Sequence, residues 1–207
     1  MALDHGPNIS TNGLILYLDA ANSTSYPGSG NSFFGLVSGT GATISGTAGF
    51  TTSNRGSIIL NYTATGYIYT SSLTWRSICM WVNISSTQDV VYYLIDGRTG
   101  VENSWFYSSP SDSIGAGWSK FYLNGVQIAI DSANGLSNTT LFERNKWLHV
   151  YLELSMIGTG DIHIFSRYNN IELLIGNVSQ VQIYNRVLSQ QEILQNYNAL
   201  KGRYGLS

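Results

Sequence analysis

Apolar residues recur at every second position through much of this chain, the spacing expected of strands buried on one face. Leu148, Val150, Leu152 and Leu154 form one unbroken apolar set, while Trp147, His149, Tyr151 and Glu153 face the other way. Ile78, Met80, Val82 and Ile84 form a second set, opposed by Cys79, Trp81 and Asn83. Val181 and Ile183 alternate with Gln180 and Gln182. Residues 13–18, 57–60, 90–95 and 161–165 predict further strands. In Phe121-Tyr122-Leu123-Asn124-Gly125-Val126-Gln127-Ile128, an Asn-Gly pair separates two β-rich runs. A two-residue type I′ turn needs positive φ at both central positions, so this run predicts a tight hairpin.

The period changes only near the C-terminus. Ser189-Gln190-Gln191-Glu192 reads as a capping box, with Leu188 and Ile193 placed for a hydrophobic staple. Ile193, Tyr197 and Leu200 then share a helical face, and Gly202 is placed to stop the helix. Many short strands with one terminal helix predict a sandwich with a packed lid, a single domain over residues 1–207. The Ser/Gly-rich stretch from Ser104 to Gly117 predicts a long surface loop.

Composition narrows the classes of function. At 207 residues with 43% hydrophobic content the chain can bury a sizeable core. Only 11% of residues are charged, so the polar surface must come from Ser, Thr, Asn, Gly and Tyr. The net charge is −2, the pI is near 5.8, and no basic stripe exists to neutralise phosphates; nucleic acid is not an expected partner. Cys79 is the single cysteine, which predicts assembly in a reducing compartment. Met1-Ala2-Leu3-Asp4-His5 lacks the features of a signal peptide, and no stretch has the length and apolarity of a membrane span.

Both ends of the chain carry a resemblance. Pro7-Asn8-Ile9, Gly13 to Ala20, Asn22 and Ser25 to Gly30 match at the start. Ile183 to Ser189, Glu192-Ile193, Asn196-Tyr197-Asn198 and Lys201 to Gly205 match at the end, with Trp147-Leu148-His149-Val150 between. These segments resemble the concanavalin A-like (laminin G-like) lectin/glucanase superfamily, particularly the versions found in phage virion proteins. The resemblance implies an all-β, two-sheet antiparallel jelly-roll sandwich with one short C-terminal helix and neighbouring first and last strands. It also has departures. Phe33 to Gly39 lacks the acidic residue found there in the family, and Leu60-Asn61-Tyr62 replaces its Phe-Asp-Gly. The Tyr122 to Gly125 hairpin precedes the Trp147 strand instead of following it.

Chemistry-bearing residues are sparse. Glucanases of the resembled fold place paired carboxylates on one strand, whereas no two of the 12 acidic residues here share a strand at even spacing. No enzyme activity is therefore expected. His149 and His163 fall opposite the aliphatic sets of their strands, which predicts solvent-facing or hydrogen-bonded roles. With His5 they show no zinc spacing, and Asp96 to Glu102, the one candidate calcium loop, reads as a plain turn. No cofactor or metal is expected. Arg186 and Asn185 read as ties between the last strand and the helix, and Asp19 as closing a strand by turn hydrogen bonds. The remaining lead is aromatic. Trp105, Tyr107 and Trp118 flank the predicted loop, where rings can stack on sugar faces or anchor an interface.

The resemblance implies a non-enzymatic phage virion structural protein, either a capsid decoration or cement protein or a tail or appendage component. Its expected partners are other virion proteins, in many copies or as a homo-oligomer. The alternative is a lectin-like adhesin that binds cell-surface glycan, and a glycan-cleaving enzyme is a third class.

Overall fold

The structure, a computed structural model, describes residues 8–61, 66–85, 92–97, 105–109, 111–114, 117–130 and 142–207. The strands begin with β1 (Leu14–Asp19), β2 (Ser32–Phe33), β3 (Ala42–Ser45), β4 (Gly49–Thr51), β5 (Ser57–Leu60) and β6 (Tyr67–Thr70). The long β7 (Leu73–Ile84) is followed by β8 (Tyr92–Asp96), β9 (Trp105–Ser109) and β10 (Ser111–Ile114). Then come β11 (Trp118–Leu123), β12 (Val126–Ile128), β13 (Trp147–Gly160), β14 (His163–Ile164) and β15 (Gly176–Tyr184). The chain closes with α1 (Gln190–Leu200) and a 3-10 turn, Lys201–Tyr204.

These strands form two antiparallel sheets. The eight-stranded sheet runs β12-β11-β13-β7-β15-β5-β4, with β1 also paired to β15. The seven-stranded sheet runs β10-β9-β8-β14-β6-β3-β2. The predicted apolar sets meet between them: Ile78, Met80, Val82 and Ile84 from β7, with Leu148, Val150, Leu152 and Leu154 from β13, join Ile44, Ile68, Ile95 and Ile164 of the facing sheet. Antiparallel sandwiches bury one face of each sheet this way. The Asn-Gly hairpin is present, with Leu123 opposite Val126 and positive φ at Asn124 (51°) and Gly125 (80°).

The outer face of the eight-stranded sheet departs from simple alternation. Cys79, Trp81, His149 and Tyr151 are as buried as the core set, because α1 and the 3-10 turn lie across them. Trp81 is sandwiched by Tyr204 at 4.2 Å and Tyr197 at 5.8 Å. His149 is therefore not solvent-facing: its ring sits 5.2 Å from Trp81, and neither nitrogen has a hydrogen-bond partner. Burial also pushes the Cys79 thiol up to about 12, which leaves it a poor nucleophile.

The lid is fastened at both ends. Ser189 caps α1: its hydroxyl accepts from the Glu192 amide while the Glu192 carboxylate accepts from the Ser189 amide. Arg186 forks onto Glu192, donates to the Asn12 carbonyl at 2.9 Å, and so ties strand, helix and N-terminal segment together. Ser189→Ala removes one cap bond and is expected to cost about 1 kcal/mol, read in a urea melt. The helix does not stop at Gly202. It tightens into the 3-10 turn, and Gly205, at φ 72°, takes the left-handed position.

Arg203 makes the second fastening. Its guanidinium donates to Asp19 (2.9 Å), to Ser179 (2.7 Å), and to the carbonyls of Asn54 (2.8 Å) and Gly56 (3.0 Å). Asp19 accepts in addition from Gln180 and from the Ala21 amide, so the expected turn bond is present within a larger network. β1 pairs with β15, and the Ser10 amide donates to Asn196 of α1, which brings the early and late segments side by side.

The stretch 104–117 differs from the expected loop. Its described residues form β9 and β10, paired from Ser111 opposite Ser109 to Ile114 opposite Phe106. Ser111-Asp112-Ser113 carries no apolar alternation, so its pairing at the sheet edge left no sequence signal. The segment Met1 to Pro7, Val90-Val91 and the part of the Asp96 to Glu102 loop beyond Gly97 lie outside the described residues.

Candidate functional site: the outer face of the seven-stranded sheet

The register of the seven-stranded sheet separates its two faces. Ile44, Ile68, Ile164, Ile95, Phe106 and Ile114 form one row across six strands, the row whose described members lie in the core. The adjacent row runs Thr43, Tyr69, His163, Asp96. Side chains alternate along a strand, so this second row belongs to the outer face. Aromatic, imidazole and carboxylate groups are thus gathered by strand pairing alone.

His163 is the centre of a ring cluster. Its imidazole stacks on Tyr67 (6.0 Å, 19°) and Tyr69 (6.1 Å, 22°), and the two tyrosines lie 5.9 Å apart. His163 is 8% exposed and its Nδ1 has no partner, so it is neither solvent-facing nor fully hydrogen-bonded. Desolvation lowers its pKa, and the negative charges of Asp96 and Asp161 oppose that fall.

The segment after β14 completes the face. The Tyr168 amide donates to the Asp96 carboxylate at 3.2 Å, and the Tyr93 amide donates to the Glu172 carbonyl at 3.0 Å. Arg167 lies 5.7 Å from the ring centroids of both Tyr93 and Tyr168 and pairs with Glu172 at 3.1 Å. Tyr168 is 44% exposed. Stacked rings beside a carboxylate and a guanidinium suit a ligand with an apolar C–H face and several hydroxyls around its rim.

The aromatic trio expected from the sequence is divided. Trp105 pairs in register with Asp96, and Tyr107 with Tyr93, so both lie on strand β9 of the seven-stranded sheet. Trp118 belongs elsewhere: it opens β11 in the other sheet, is 4% exposed, and packs 5.9 Å from the core Trp75. Its place within a β-hairpin strand, rather than in a loop, puts it inside. Tyr67, Tyr69, Asp96, Arg167 and Tyr168 were not expected here. The signal available was the Tyr67-x-Tyr69 alternation, which meets His163 only once the register is known. Among the described residues no group of His, Cys, Asp or Glu is arranged to hold a metal ion, and no helix is long and apolar enough to cross a membrane.

No protein-family model matches this chain, and no curated protein matches it. Solved structures do. The Trypanosoma rangeli sialidase in complex with sialic acid is similar over 94% of this chain, with a TM-score of 0.60 and 13% identity. This chain spans about a third of that protein, 34% of its length. Domain 4 of AbnA, an extracellular arabinanase from Geobacillus stearothermophilus solved with arabinotriose, is similar over 89% of this chain and 98% of its own length. Its TM-score is 0.56 at 12% identity. The chain therefore has a two-sheet antiparallel sandwich fold seen in domains of these carbohydrate-active proteins. At such identities the likeness is one of fold alone.

Proposed function

We propose that this chain is a non-enzymatic glycan-binding module that engages saccharide across the outer face of the seven-stranded sheet. The observation that carries this reading is the Tyr67–His163–Tyr69 ring stack with Asp96 beside it in register and Arg167 and Glu172 paired nearby. A sugar ring can pack on the partly open Tyr69 and Tyr168 rings while its hydroxyls reach the Arg167–Glu172 pair; Asp96, fully buried, holds the Tyr168 backbone from beneath. The arabinotriose in the complex of AbnA domain 4 is consistent with this reading without assigning a sugar here. No paired carboxylates at even spacing on one strand support hydrolysis.

A second reading makes the chain a phage virion structural protein, in the capsid, tail or an appendage, within the concanavalin A-like superfamily. It rests on the terminal segments that resemble such proteins; in the fold these segments supply the Arg186–Glu192 and Arg203–Asp19 fastenings. The readings are compatible if the module is displayed on a particle in many copies. Stoichiometric recovery with purified particles supports the virion role.

The glycan reading is tested by array screening of the whole chain, then calorimetry on the best saccharide. Tyr69→Ala and Tyr168→Ala, both at positions partly open to solvent, are each expected to weaken binding at least about tenfold without changing the melting curve. Unchanged affinity in both variants, or an array with no saturable signal, overturns it. Release of reducing ends from the bound glycan overturns the non-enzymatic assignment.

A further inference from the structure

A concave site lies well removed in sequence from the ring platform. The turn after β1 and the 3-10 turn at the C-terminus enclose a cleft of about 710 Å3, lined by Asp19, Asn22, Arg55, Asn198, Lys201 and Arg203 among others. A volume of that order suits a ligand of sugar size. Its charges are unbalanced. Asp19 is already neutralised by Arg203, whose side chain is 7% exposed. Among the described residues Arg55 and Lys201 have no ionic partner and the Arg55 side chain has no hydrogen-bond partner; Lys201 is held 5.8 Å from the Tyr197 ring centroid. Two free cations therefore face a polar cleft.

The backbone beneath Arg55 supplies the independent observation. Asn54 and Arg55 adopt left-handed φ in succession, 53° and 68°, ahead of Gly56 at 138°. Asparagine tolerates that region, whereas arginine does not favour it, and such strain persists only where surroundings enforce it. Here they do. The Asn54 side chain accepts from Trp147 Nε1 at 3.1 Å and donates to the Arg203 carbonyl at 3.3 Å, while its own carbonyl accepts from Arg203 Nε at 2.8 Å. None of these bonds involves the Arg55 side chain. A strained arginine with no partner among the described residues is thus fixed in the lining of a cleft by its neighbours, where a glycine would cost the fold less.

We infer that this cleft binds an anionic group, phosphate or carboxylate, carried on a small polar ligand such as an acidic saccharide. Arg55 supplies the planar fork for two oxygens and Lys201 the compact second charge. The site is separate from the ring platform and does not depend on the glycan reading.

The test uses the whole chain, amide chemical-shift titration at low ionic strength, and three probes: glucose 6-phosphate, glucuronate and neutral glucose. Either acidic probe, but not glucose, is expected to shift the amides of Asn22, Asn198 and Gly202; which one binds more tightly separates phosphate from carboxylate recognition. Arg55→Gln and Lys201→Gln are each expected to weaken that binding about tenfold. Arg55→Gly is the decisive variant. Relief of the left-handed strain is expected to raise the thermal midpoint by about 2–4 °C while binding is lost, a stability gain paired with a functional loss. No shift with either acidic probe, equal response to glucose, or undiminished affinity in the Arg55 and Lys201 variants overturns the inference.

Discussion

Arg203→Ala is expected to lower the unfolding free energy by about 3–5 kcal/mol, the cost of leaving a buried charge unpaired. The Asp19 side chain is 13% exposed and would keep only Gln180, Tyr17 and the Ala21 amide as donors. Three other acceptor contacts would vanish with it, releasing the 3-10 turn from the Asn54–Gly56 backbone and from Ser179 of β15. Arg203→Lys keeps the charge but not the fork, so it should recover only part of the loss. The double variant Asp19→Asn, Arg203→Met should be less damaged than Arg203→Ala, because no net charge is stranded. Urea melts of the three proteins check this. A loss below about 1 kcal/mol for Arg203→Ala would show that water replaces the guanidinium without cost.

The second large effect is acid sensitivity centred on His149. Full burial with no hydrogen-bond partner pushes its pKa down to about 3, from an ordinary 6.5. No carboxylate is among the rings that contact it, which are Trp81 and Tyr197. The unfolded chain takes up a proton near pH 6.5 that the folded chain refuses until about pH 3. Stability from this residue is thus complete above pH 6.5 and erodes as pH falls toward 3, by about 1.4 kcal/mol per pH unit. Glu192, whose pKa is held down by the Arg186 guanidinium, adds a loss in the same direction, beginning as pH falls through its ordinary 4.5. His149→Phe separates the two. It keeps a ring against Trp81, and the difference between wild-type and variant stability should slope between pH 6 and pH 4. Parallel curves over that range would mean the imidazole is solvated on protonation at no cost.

Sequence pattern made the sheets legible because alternation records which face meets the other sheet, and that is a local fact. The same pattern could not say that Trp81, His149 and Tyr151 are covered on their other face. That depends on where α1 lands, and a polar-looking set such as His149, Tyr151 and Glu153 resembles a solvated face until a lid is placed over it. The capping box at Ser189 was legible for the opposite reason: all its atoms lie within four residues. Arg203 shows the limit. It stands in the tail that carries the resemblance, yet its role needs Asp19, Asn54 and Ser179 from three distant segments. The ring platform was hidden in the same way, since Tyr69, His163 and Asp96 become neighbours only through strand register. Trp118 misled because a tryptophan beside Ser and Gly looks exposed, while its strand alternation with Ser119 and Lys120 points it inward.

The order of the eight-stranded sheet has a consequence for synthesis. β15, the most C-terminal strand of this fold, pairs with β7 along one edge and with β5 and β1 along the other. Until residues 176–184 emerge, β1 has no partner among the described strands, and one edge of β7 stays open. The pairings of β15 are therefore closed late and over long sequence separations, which slows folding. A nascent chain in that state exposes unpaired strand edges to its neighbours on the same message, the condition under which β proteins aggregate or exchange strands. Yield should thus respond more to chaperone supply and to translation temperature than to the strength of the finished core.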